Sequence, residues 1–248
     1  MRAIDRCAQT NRWRHHAAGE KLLFALGIMS ISLSSAKWGV QAVLLVSMLA
    51  LMIVGAGISW RDIARAARVP LLFIATGTAA QLFSVTMHGY VPSFSLVSAA
   101  GIDEALFVAL RSCACVSALL FLALTTPLSS ILQLLQRMGL NAEISDIAMV
   151  MFRIIWVLLD CLDAGRRSLD ARLGYAGNRR LLKSNGLLLA SLLPRVFARA
   201  RRMEMGLAAR GYTGRLAFIS IERPASGARL LAIACFLALL FILSWWLR

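Results

Sequence analysis

A chain of 248 residues that is 59% hydrophobic and only 16% charged departs from the roughly 45–50% and 25% typical of soluble domains, which excludes an ordinary soluble globule and a disordered polypeptide. Its 27 Lys and Arg against 12 Asp and Glu give a net charge of +15. In so apolar a chain that excess marks the basic side of a membrane protein rather than a nucleic-acid binder. Five cysteines, an odd number with Cys113 and Cys115 two apart, do not make a disulfide framework.

Five stretches read as membrane helices: residues 22–36, 38–58, 69–87, 105–126 and 228–247. The first has fifteen residues, short of the roughly 20 that a straight span needs. With the basic residues before it and the small trio Ser34, Ser35, Ala36 behind it, it also resembles a cleavable signal peptide, and the topology of the remainder is the same either way. Arg2, Arg6, Arg12, Arg14 and Lys21 precede the first span, and Arg61, Arg65 and Arg68 lie between the second and third. The 88–104 loop has no Lys or Arg and carries Asp103 and Glu104, whereas the stretch from 127 to 228 holds fifteen basic residues. Positive-inside logic places the N-terminus and 127–228 in the cytoplasm, and the 88–104 loop, Lys37 and Arg248 outside. Trp38, Trp60, Trp245 and Trp246 fall at span ends, where indoles anchor. Arg111, two turns into the fourth span, either snorkels or faces a protein partner.

The expected fold is all-α: a polytopic membrane protein of about five transmembrane helices plus a cytoplasmic coupling domain of two or three amphipathic helices. Residues 1–126 form the N-terminal membrane domain with four helices, 127–227 the coupling helices, and 228–248 the C-terminal transmembrane helix. Within the coupling domain a short helix covers 128–138, between Pro127 and Gly139. A long helix covers 142–172, with Ile147, Met151, Ile154, Leu158, Cys161 and Leu162 at helical spacing. A third covers 186–210, with Leu189, Leu193, Val196, Ala200, Met203 and Leu207 on one stripe and Arg195, Arg199 and Arg202 beside it. Arg153 and Asp160 make 147–162 too charged to be another span.

Both long helices end alike. Ala171-Arg172 is followed by Leu173-Gly174-Tyr175, and Ala209-Arg210 by Gly211-Tyr212. A glycine in the left-handed C′ conformation stops a helix, and an arginine in the last turn is favoured by the dipole. Such an arginine can reach past the helix end as a planar fork for carboxylates. One such ending is ordinary capping; two, 38 residues apart, suggest two equivalent sockets.

Here the sequence resembles the transmembrane T component of energy-coupling factor (ECF) transporters of the cobalt type, the CbiQ family. The resemblance runs from Ile4-Asp5-Arg6 through Arg14-His15, Glu20-Lys21, Leu124-Thr125-Thr126-Pro127 and Arg153 to Tyr212. Its most specific element is a pair of Ala-Arg-Gly motifs, intact as Ala209-Arg210-Gly211 and altered as Ala171-Arg172-Leu173, with the glycine displaced to Gly174. The resemblance implies a non-catalytic subunit that transmits ATPase motion to a separate substrate-binding membrane subunit for uptake of a transition-metal ion, with cobalt first and nickel or a vitamin as alternatives. It implies two ATP-binding cassette ATPase partners that carry the ATP and Mg, with no cofactor on this chain. It further implies a CbiM-like S component, with a small CbiN-like subunit as an additional candidate, a place in a prokaryotic cell (inner) membrane, and a link to cobalamin biosynthesis.

No Gly-x-x-x-x-Gly-Lys-Ser/Thr loop, His-Glu-x-x-His element or Gly-x-Ser-x-Gly elbow occurs. His15, His16, His88, Cys113 and Cys115 are spaced for packing or surface roles rather than for a metal. Three rivals compete: a membrane enzyme, which lacks acid or base partners at the level of Arg111; a conventional ABC permease, whose Glu-Ala-Ala loop is absent; and a basic lipid-binding surface at Arg179, Arg180 and Lys183, which leaves the paired tips unexplained.

Overall fold

The computed structural model describes residues 2–81, 83–88, 91–96, 99–212 and 226–246, and the chain divides into two compact units, Met1–Ile131 with Ser220–Arg248, and Leu132–Ile219. In the first unit, α1 (Arg2–Thr10) and a 3-10 turn (Arg12–His15) precede α2 (Ala18–Ser34) and α3 (Trp38–Ala50), which continues as a π-helical turn, Leu51–Gly55. α4 (Trp60–Gln81) leads to an antiparallel hairpin of β1 (Phe83–His88) and β2 (Val91–Leu96), in register from Phe83 opposite Leu96 to His88 opposite Val91. α5 (Ala99–Thr125), the first turn of α6 (Leu128–Arg137) and, on the return, α9 (Gly227–Trp246) complete it. The rest of α6 with α7 (Ala142–Ala171) and α8 (Asn178–Ala208) makes the second unit.

α5 is the axis of the first unit; α1, α2, α3 and α4 all pack on it, and α9 packs on α2. Its buried Ala114 and Ala118 explain why: small residues one turn apart let neighbouring backbones approach. Phe121, Ile28, Leu44, Met48 and Met52 fill the space between the helices. On α2, a methyl group at Gly27 would sit 2.5 Å from Leu237 Cδ1, so α9 approaches through that gap. The outward faces are apolar, with Val54 at 76% and Phe73 at 79% exposure, as suits lipid contact.

Trp38–Gly55, Trp60–Gln81, Gly101–Thr125 and Asn178–Ala208 are long and apolar enough to cross a membrane, and Gly227–Ile242 is a shorter apolar helix. The chain is an all-α polytopic membrane protein carrying one small β-hairpin. Several predicted boundaries move. The third span, expected over 69–87, is a helix over Trp60–Gln81 that already contains Arg61, Asp62, Arg65 and Arg68. Ile63 and Ala67 bury one face of that first stretch, while Arg65 pairs with Asp62 at 2.9 Å on the other. Residues 83–88 are strand, and the predicted 88–104 loop contains β2 and the first turns of α5. α8 begins eight residues before the expected 186, taking in Arg179, Arg180 and Lys183. α1 was not foreseen. The predicted end of the last span at Leu247 and Arg248 lie outside the described residues, as do the side chains of His88, Trp245 and Trp246.

Candidate functional site

Within the second unit, α7 and α8 form an antiparallel helical hairpin. Ser184 Oγ on α8 donates to the carbonyl of Gly174 at 2.8 Å, and a methyl group at Gly165 would collide with Leu188. This fixes where the two arginine tips lie. Arg172 stands at the turn of the hairpin, and Arg210 at the far end of α8. From Ser184 to Ala208 the helix rises roughly 36 Å at 1.5 Å per residue.

The two endings are the same motif. At the first, the Gly174 N–H donates to Leu169 O at 2.8 Å and the Leu173 N–H to Asp170 O at 3.0 Å. At the second, the Tyr212 N–H donates to Leu207 O and the Gly211 N–H to Ala208 O, both at 3.1 Å. These are paired C-capping bonds of the Schellman type around one left-handed residue. That residue is Gly211 (φ +71°) in the second tip and Leu173 (φ +56°) in the first. The expectation that Gly174 stops the first helix is therefore corrected: Leu173 takes the left-handed position. Gly174 is required for closeness instead, because a Cβ there would lie 2.9 Å from Leu169 O and 2.9 Å from Ser184 Oγ. Ala171 and Ala209, Arg172 and Arg210, and Leu169 and Leu207 correspond pairwise. Tyr175 and Tyr212 do not: the Tyr175 hydroxyl is buried without a hydrogen-bond partner among the described residues, whereas Tyr212 is exposed and corresponds to Gly174.

Both arginines are exposed. Around Arg210 the second tip adds a shallow pocket of about 210 Å³ formed by Arg153 of α7 with Arg199, Arg202 and Arg210 of α8, floored by Met203 and Leu207. Among the described residues no carboxylate lines it. Four arginines lining one pocket repel one another and favour an anion arriving from outside.

A second polar cluster sits in the first unit. Glu20 and Lys21, each 3% exposed, open α2. Lys21 Nζ donates to the Thr125 carbonyl at 2.9 Å, at the end of α5. Asn11 Nδ2 donates to Leu124 O at 3.1 Å and Thr125 O at 3.3 Å. On the other side, Glu20 Oε1 accepts from the Ser226 N–H at 3.0 Å and pairs with Arg229 Nε at 3.4 Å. Arg229 Nη1 lies 3.0 Å from His16 Nδ1, which makes that ring nitrogen an acceptor. The Glu20-Lys21 and Leu-Thr-Thr-Pro elements, over a hundred residues apart, are thus in contact. Sequence reading quoted both and missed the junction; its signal was a pair of charges at the head of an apolar helix.

Arg111 is half-buried and has partners within the chain. Its Nη2 donates to Ser35 O at 2.7 Å and its guanidinium lies 4.7 Å from the Phe107 ring centre. Among the described residues no group of three or more His, Cys, Asp or Glu side chains could hold a metal ion.

The model of the family described as cobalt transport protein, CbiQ, matches residues 10–221. The cobalt transport protein CbiQ of Rhodobacter capsulatus is 35% identical over 231 residues, covering 93% of this chain and 92% of that protein. CbiQ of Salmonella typhimurium is 25% identical over 224 residues, covering 86% of this chain and 98% of that protein. A putative fused cobalt transport protein CbiMQ of Methanocorpusculum labreanum is 26% identical over 246 residues, covering 96% of this chain and 41% of that protein. With most of its length matched both by the family model and by a relative of this identity, the chain belongs to the CbiQ family of cobalt transport proteins.

Proposed function

We propose that this chain is the energy-coupling T component of an ECF-type cobalt importer, and that Arg172 and Arg210 dock it to two ATPase subunits. The observation that carries this is the repeated helix ending, which presents an exposed arginine at the same position of the same capping motif twice, at opposite ends of α8. Separated by roughly 36 Å of helix, the two tips engage separate receptors rather than one. The arginine-lined pocket around Arg210 matches an acidic receptor surface. The site motifs Ala171-Arg172-Leu173-Gly174 and Ala209-Arg210-Gly211 are the coupling elements, and nucleotide and Mg are held by the ATPases.

α8 is apolar enough over part of its length to be a span, but its Arg179, Arg180, Lys183, Arg195, Arg199, Arg201 and Arg202 oppose a crossing. The N-terminus and the α7–α8 hairpin then face the cytoplasm of a prokaryotic cell membrane. The fused CbiMQ relative supports a CbiM-like membrane protein as the substrate-binding partner. Truncating an arginine anchor at an interface typically costs about 2 kcal/mol or more. Arg210→Ala should therefore weaken ATPase co-purification and abolish cobalt uptake. Full uptake by the double variant Arg172→Ala/Arg210→Ala would refute the docking role.

A further inference from the structure

We infer that Glu20 and Lys21 are positioning residues for transport: together they fasten the membrane unit to both chain connections that lead to the α7–α8 hairpin. The role rests on the coupling function proposed above. The chain leaves the first unit at Ile131, shortly after Thr125, and is back in it by Ser226. Lys21 holds the outgoing connection through the Thr125 carbonyl at 2.9 Å, and Glu20 holds the returning one through the Ser226 N–H at 3.0 Å and Arg229. Adjacent residues on a helix project about 100° apart, so one dipeptide can grip two segments on different sides.

Stability alone does not call for this arrangement. Two charges that are each 3% exposed are expensive to desolvate, and well-packed apolar residues often hold helices together at least as well. Close packing is also missing beside the pair, where a cavity of about 350 Å³ is walled by Trp13, Phe24, Phe121 and Phe236. Directional bonds therefore set the position of both connections here. A displacement of either one breaks these directional bonds, so motion entering from the hairpin is passed to α2 instead of being lost locally.

The test uses the assembled transporter in proteoliposomes and reads cobalt uptake per ATP hydrolysed. Glu20→Gln and Lys21→Met should retain the ATPase subunits and hydrolyse ATP while uptake per ATP falls about tenfold; Lys21→Arg should recover much of it. Gln41→Leu, which removes a buried polar network at the other end of α2, serves as the control: it should lower the melting temperature without changing that ratio. Wild-type uptake per ATP in Glu20→Gln and Lys21→Met, or an equal loss in Gln41→Leu, would overturn the assignment. Should Lys21→Met fail to assemble, the isosteric Glu20→Gln decides alone. Failure of the wild-type chain to retain any ATPase is a separate result that removes the coupling function and this role with it.

Discussion

Leu173 and Gly211 occupy the same position of the same helix ending, with φ of +56° and +71°, and only one of them is a glycine. A left-handed backbone costs a side-chain-bearing residue about 1–2 kcal/mol. Leu173 is 70% exposed, so burial does little to offset that strain. Glycine in its place relieves it but loosens the unfolded chain, which recovers part of the difference. Leu173→Gly should therefore range from neutral to about 1 kcal/mol stabilising, and Gly211→Leu should destabilise by about 1 kcal/mol. Hydrogen exchange reads this locally: the Gly174 amide, bonded to Leu169 O, should exchange more slowly in Leu173→Gly, and the Tyr212 amide faster in Gly211→Leu.

Gly174 tests the same ending from another direction. Its added Cβ would meet the backbone oxygen of Leu169, which cannot step aside without opening the cap. It would also press on Ser184 Oγ, the group that ties the tip to α8. Gly174→Ala should cost about 1–3 kcal/mol by the overpacking route. It should weaken ATPase co-purification almost as much as Arg172→Ala while leaving Arg172 in place. Unchanged co-purification would mean that the tip does not need its cap.

At the far end of α2, Ser35 O accepts from both Arg111 Nη2 at 2.7 Å and Gln41 Nε2 at 3.2 Å. Gln41 also takes the Ser32 hydroxyl at 2.6 Å and donates to Ser32 O at 2.7 Å, with both side chains fully buried. Removing Gln41 strands those groups, a loss of about 1–3 kcal/mol. Because Arg111 shares an acceptor with Gln41, their losses should not add. Thermal unfolding in detergent of Arg111→Leu, Gln41→Leu and the double variant checks this: the double should lose less than the two singles combined.

How far the sequence carried can be judged from these same residues. Apolar run length, read as spans over 38–58 and 105–126, located the helices found at 38–55 and 101–125, and the +15 imbalance separated a basic part of the chain from an apolar one. Charge was also the misleading signal. Arg61, Arg65 and Arg68 read as a loop, yet Ile63 and Ala67 repeat at helical spacing among them and bury one face of α4. Arg179, Arg180 and Lys183 hid the first turns of α8 for the same reason. The two arginine tips were legible because helix endings are local. Which residue turns left-handed at the first tip was not, since propensity favours Gly174, whereas Leu173 takes that conformation and the Gly174 carbonyl accepts from Ser184 of α8, a contact no local rule reaches. The junction of Glu20, Lys21, Thr125 and Arg229 depends on contacts across the whole unit, which no spacing rule reaches.

Cys7 is a buried thiol on α1 whose pKa is raised above its ordinary value by burial and by the neighbouring Asp62 carboxylate. A group whose folded pKa is raised contributes stability that is present at lower pH and is lost as pH rises through the folded value. The packing of α1 on α4 should therefore hold at neutral pH and weaken only in the alkaline range. Maleimide labelling of Cys7 should be slow at neutral pH and accelerate above the usual thiol range, and Asp62→Asn should move that acceleration to lower pH. Fast labelling at neutral pH in the intact protein would contradict both the burial and the influence of Asp62.

The arginine pocket makes the two tips unequal. Arg172 stands at the hairpin turn, whereas Arg210 shares its pocket with Arg153, Arg199 and Arg202. An acidic receptor at the second tip gains long-range attraction from all four, and that part of the affinity is screened by salt. Binding of the ATPase subunits should then contain one salt-sensitive contact, dominated by the second tip, and one that changes little with ionic strength. Arg199→Gln/Arg202→Gln leaves the Arg210 peg intact, so it should slow association and flatten the salt dependence rather than abolish docking, with a loss of about tenfold in affinity at low salt. Surface-binding kinetics of the ATPase on the reconstituted chain, run as a salt titration, separate these effects. An unchanged salt slope, together with loss of bound anionic lipid in native mass spectrometry, would reassign the pocket to a phosphate headgroup.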